Sequence, residues 1–170
     1  ATKRYKRPLR VRVVADHDDD TVAFTDYHGI YINACNHITW SLPTRLLRSM
    51  SLEGFNAHEC GHNLFTDNRI WNSYFSKLEK GKFYPKMPDG LDSMQKLHAR
   101  DILEAVLDET DTVPYQVIMS VAHALQNILE DGYVDARYSY EFPGSPAKGI
   151  ALNNLRFADT VPEISEMINR

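Results

Sequence analysis

Apolar and polar positions alternate along Leu9–Ala15, LRVRVVA, with the two-residue period of a valine-rich strand. VAFTDYHGIYIN, residues 22–33, predicts two short strands either side of Tyr27-His28-Gly29, with Ile30–Asn33 the more strand-like. The period then lengthens. Pro43 opens a helical stretch over Thr44–Ser49, and from Leu52 onward Phe55, Ala57, Cys60, Leu64 and Phe65 keep an amphipathic pattern. Residues 67–90 read as loop with aromatic insertions, ending in the turn signal KMPDG. Met94, Leu97, Ile102, Ala105 and Val106 predict a helix from about Leu91 to Asp108. Pro114 suits the first turn of the longest helix, Tyr115 to about Tyr138. FPGSPAKG breaks the chain, and the last twenty residues begin another helix or a strand-poor extension. Neither an internal repeat nor a low-complexity segment interrupts this order.

At 170 residues, 43% hydrophobic and 25% charged, the expectation is one globular domain spanning 1–170 with a single core. A net charge of −4 and no basic stripe argue against nucleic acid as a partner. No apolar run approaches the roughly 18 residues of a membrane span, so no membrane is expected. Two cysteines, Cys35 and Cys60, are too few for a disulfide framework, which points to a reducing, cytoplasmic setting. The acidic run Asp16–Asp20 lacks the glycine and terminal glutamate of a calcium loop and reads as a solvated turn. A start at Ala1 rather than methionine leads to the expectation of a longer parent chain or a trimmed one.

Candidate chemistry concentrates in His58-Glu59-Cys60-Gly61-His62. Histidines four apart share one helical face, so both can offer a nitrogen to one ion. Glu59, turned roughly 100° from His58, falls beside that ion, where a general base acts on water that the ion activates. Two imidazoles and a carboxylate suit zinc with one position open. Gly61 inside a helix costs about 1 kcal/mol against alanine, a cost tolerable where another element approaches closely. The other histidines are scattered. His17 and His98 read as exposed or hydrogen-bonded, and His28 as a turn residue near a cleft. Cys60 faces away from the histidines.

A third ligand is sought in HALQNILEDGYVDARY, residues 123–138. At roughly 100° per residue, Val117, Val121, Leu125, Ile128, Leu129 and Gly132 form one apolar face. Asp135 falls within that face and Asp131 at its edge, while Glu130 points further round. Carboxylates on a buried face need partners. One arrangement puts Asp131 on the ion, with Asp135 accepting the second N–H of a ligand histidine. The rival puts Glu130 on the ion with Asp131 behind it. Without an ion, the acidic helix end would pair with Arg137 and Lys148. His123 and Tyr133 are candidates for stabilising an oxyanion.

The strand GIYIN, the His-Glu-x-Gly-His helix and the NILEDGYVDARY helix together resemble the zincin metallopeptidases. The closest resemblance is to the peptidase domains of cobaltochelatase-CobT-like proteins that carry a downstream von Willebrand factor A domain. It spans about Gly29–Asn153, including EFPGSPAKGIALN, and its two helical motifs are the specific part. The resemblance implies an α+β, zincin-like fold, with a small N-terminal β-sheet packed on a helical core. It also implies that Ile30–Asn33 is the strand edge facing an extended peptide substrate, and that a von Willebrand domain follows. The expected activity is zinc-dependent peptide hydrolysis with Glu59 as base. The alternative is a non-catalytic, zinc-stabilised scaffold or pseudo-peptidase interaction domain. Glu59 separates the two, because a structural ion has no use for a base.

Overall fold

Gly29–Asn33 (β3) is the middle strand of a three-stranded sheet in the computed structural model, which describes residues 9–162. Arg10–Val14 (β1) pairs with it in parallel and Ala23–Thr25 (β2) antiparallel. The six helices among the described residues are α1 (His37–Trp40), α2 (Arg45–Phe65), α3 (Asn68–Leu78), α4 (Ser93–Val106), α5 (Thr112–Glu141) and α6 (Ser145–Ala158). The chain is therefore α+β, as expected. No helix among the described residues is long and apolar enough to cross a membrane.

The chain divides into two compact units. The first comprises the chain up to Thr66 and from Asp131 onward; the second is Asp67–Glu130.

In the first unit, β3 places Ile30 and Ile32 against Ile38 of α1 and Phe55 of α2 as the core. Alternation explains it, since these two isoleucines share one face of the strand. Asn33, fully buried, donates through Nδ2 to the carbonyls of Asp16 and Asp19, at 2.8 and 2.9 Å. The acidic run is thus a turn folded over Asn33. Thr44 caps α2 by accepting the Leu47 N–H. The helical stretch expected from Pro43 through the histidine motif is one continuous helix.

Two glycines set how α2 packs. A Cβ on Gly54 would strike the backbone of Gly149 and Ile150 on α6, and one on Gly61 would strike Val134 on α5. Seven residues apart, they share a face of α2, and His58 lies between them on that side. Close approach therefore explains Gly61.

The second unit holds α3, α4 and α5 as far as Glu130. α3 corrects the loop expected over 67–90: Asp67 caps it by accepting the Arg69 N–H, and Trp71, Tyr74, Phe75 and Leu78 follow at helical spacing. Leu78, Val106 and Met119 are its buried apolar residues. The apolar face expected to bury α5 is also corrected. Val117, Val121, Leu125, Ile128 and Leu129 are each at least half exposed. It is Val134, fully buried, that packs α5 against α2 in the first unit, because Gly61 leaves room for it.

Candidate metal centre

Every residue of the candidate centre belongs to the first unit. The α2 helix presents His58 and His62 one turn apart, with their Nε2 atoms 3.1 Å from each other. α5 brings Asp131 Oδ1 to 3.2 Å from His62 Nε2 and 3.8 Å from His58 Nε2. Zinc ligands at 2.0–2.2 Å in tetrahedral array lie roughly 3.3–3.5 Å apart. The three atoms already stand at about that spacing, within 4.8 Å of one another. Two imidazoles and a carboxylate fit zinc in type as well as distance.

The outer nitrogens are held too. His58 Nδ1 lies 2.7 Å from Asp135 Oδ1, and Asp135 Oδ2 accepts from Asn154 Nδ2 on α6 at 2.9 Å. An ionised carboxylate only accepts, so His58 carries its proton on Nδ1 and turns a lone pair on Nε2 inward. His62 Nδ1 lies 3.1 Å from Thr66 Oγ1, a hydroxyl able to donate or accept. With Thr66 donating, His62 carries a proton on Nε2 towards His58. With Thr66 accepting, both Nε2 lone pairs converge with Asp131, an arrangement that a cation stabilises. Burial works against charging His58, but the hydrogen bond and charge of Asp135, with Glu59 and Asp131 nearby, carry its pKa above the ordinary value.

Glu59 is 6% exposed. Its burial raises the carboxyl pKa, with His58 and His62 pulling the other way. It lines a pocket of about 210 Å³ together with His58, Asp131 and Asp135. Val22 and Ala23 of the β2 side and Phe55 of α2 add apolar wall, as do Ile150 and Phe157 of α6.

The structure thus brings together His58, Glu59, His62, Asp131 and Asp135. Glu130 is half-buried and is not part of the ligand group. The substrate edge expected at Ile30–Asn33 is corrected: β3 is hydrogen-bonded on both sides, and β2 is the outer strand beside the pocket. His28 is exposed in the Asp26–Gly29 turn, His98 is exposed on α4, and His17 meets Cys35 Sγ at 3.4 Å. His123 stacks on Phe75, centroids 3.8 Å apart, which is a packing role within the second unit. Tyr133 is half exposed, and Cys60 packs on the core, where burial raises its thiol pKa.

Sequence reading missed Thr66, Asn153 and Asn154. Thr66 was within reach of it, standing four residues after His62. The asparagines carried no signal, because their role depends on how α6 crosses α2. Comparison with known proteins adds no assignment: no family model matches, and neither curated proteins nor solved structures give a match.

Proposed function

We propose that the first unit is a zincin-like, zinc-dependent peptidase. The observation that carries this reading is the convergence of His58 Nε2, His62 Nε2 and Asp131 Oδ1 beside the buried carboxylate of Glu59. An ion held by these three groups would supply Lewis acidity towards water and a peptide carbonyl. Glu59 takes the proton of the attacking water and delivers it to the leaving amine, a role that its raised pKa favours. Asp135 fixes the ring of His58, and Thr66 that of His62. The outer edge of β2 is the place for an extended chain to add as a strand.

A non-catalytic scaffold is the second reading, favoured by the way the same ligands tie α2 to α5. Two measurements decide. Elemental analysis should find about one zinc per chain in the wild type and little in His58→Ala or His62→Ala; equal content in all three would remove the metal. Glu59→Gln should keep the metal and lose hydrolysis of a peptide library by about 10²-fold or more. An equally active Glu59→Gln protein would mean that another group is the base.

A further inference from the structure

A second cavity of the first unit, about 310 Å³, shares no lining residue with the pocket of the candidate metal centre. Its wall holds the thiol of Cys35, the imidazoles of His17 and His37, the carboxylates of Asp19 and Asp20, and the ring of Trp40. Cys35 Sγ stands 3.4 Å from Nε2 of His17. Cys35 is half-buried and His17 exposed, so a small molecule reaches both.

Asn33 builds that pairing. Its Oδ1 accepts the N–H of Cys35 at 3.0 Å and that of Asp16 at 3.2 Å, while its Nδ2 holds the carbonyls of Asp16 and Asp19. The turn carrying His17 and the turn carrying Cys35 are thus fastened to one fully buried amide. Trp40 meets the His17 ring edge-on, centroids 5.1 Å apart, and the Arg48 guanidinium lies over Trp40. The other free cysteine, Cys60, packs on the core, where burial favours the protonated thiol. An imidazole within reach of a thiol takes its proton and leaves the nucleophilic thiolate. Two carboxylates on the same wall favour a positively charged reagent over a negative one.

We propose that Cys35 is a site of reversible thiol modification, which exchanges with small disulfides that are uncharged or positively charged. The Cys35 sulfur, its proton taken by His17, bonds to one sulfur of the reagent as the reagent's S–S bond breaks. The departing thiolate receives that proton from His17. Cys35 is oxidised and the departing sulfur reduced, so no further oxidant is required, and excess thiol reverses the step. None of these residues belongs to the candidate metal centre.

The probes are cystamine, a dication, the neutral hydroxyethyl disulfide, and dithiodipropionate, a dianion. Each is added to the full chain, folded and unfolded in denaturant, and mass spectrometry of the digested protein gives the rate at each cysteine. The ratio of folded to unfolded rate removes the intrinsic reactivity of each reagent. In the folded chain Cys35 should react about tenfold or more faster than Cys60. Its ratio should be about tenfold higher for cystamine than for the dianion, and Asp20→Asn should narrow that gap. His17→Ala should slow Cys35 by about tenfold or more with every probe, although losing a ring from the cavity opens access. Continued slow reaction of Cys60 shows that each variant is folded. Cys35 reacting no faster than Cys60, or at an unchanged rate in His17→Ala, overturns the modification site. Equal ratios for the three probes overturn the charge selection. A Cys35 protected until a chelator removes a bound metal ion overturns the proposal too, and makes the cavity a metal site.

Discussion

Helices in the two units are made alike and packed differently. In the first unit, α2 meets α6 through Gly54 and Gly149 and meets α5 through Gly61 and Val134, backbone close to backbone or to a short side chain. Around those crossings sit buried polar groups that are hydrogen-bonded at specific distances, such as Thr39 Oγ1 to Ser51 Oγ at 2.9 Å. In the second unit, three long helical segments bury Leu78, Val106 and Met119 but leave Met94, Leu97, Ile102, Val117, Val121 and Leu125 largely exposed. Apolar periodicity is present in both. In the first unit glycines also stand where α2 crosses α5 and α6, and that is what brings His58, Asp135 and Asn154, on three different helices, into one hydrogen-bonded line.

The largest effect should come from breaking a crossing. Gly54→Ala puts a methyl group into the Gly149 backbone, which no side-chain rotamer can relieve. We expect a loss of about 3 kcal/mol in denaturant unfolding, together with weaker zinc binding, because α6 would carry Asn154 away from Asp135. A loss below about 1 kcal/mol would mean that the crossing is not what orders the first unit.

Next come the carboxylates, which sharpen the comparison at the point where α5 passes from one unit to the other. Asp131→Asn should weaken zinc affinity most, because it removes a donor from the ligand group. Asp135→Asn should cost about 10- to 100-fold, since it loosens the hold on His58 without touching the ion. Asn154→Ala should cost less than Asp135→Asn, being one hydrogen bond further out. Glu130→Gln should leave affinity nearly unchanged. A competing-chelator titration ranks all four, and Glu130→Gln as the most damaging would place Glu130 on the ion instead of Asp131.

The parts legible in the sequence are those fixed by local spacing. His58, Glu59 and His62 follow from one helical turn, and β1, β2, β3, α2, α4 and α5 from periodicity within a few residues at their ends. Asp131 and Asp135 were singled out for an apolar face that is in fact exposed. The wheel angle was informative, but the burial assigned to the helix was not, because burial depends on which helix lies opposite. α3 was missed although Trp71, Tyr74, Phe75 and Leu78 have the spacing, since its polar neighbours and aromatic density suggested a loop. The central place of β3 was not readable either: sheet order is a long-range property, and β1 reaches β3 by passing over β2 in sequence. The same holds for Asn153 and Asn154.

The smallest effect tests the comparison along a single helix. Val134 and Leu125 both lie on α5, nine residues apart. Val134 is 0% exposed, and its side chain fills the space beside Gly61, so Val134→Ala removes buried methyl groups and leaves a gap. That should cost about 2 kcal/mol. Leu125 is 56% exposed, and alanine is an equally good or better helix former. Leu125→Ala should therefore change stability by no more than about 0.5 kcal/mol in either direction. Chemical denaturation of the two variants, compared at matched slopes, gives both numbers. Should Leu125→Ala cost as much as Val134→Ala, the apolar stripe of the second unit is covered in solution, and its exposed helices are packed as closely as those around the His58–His62–Asp131 group.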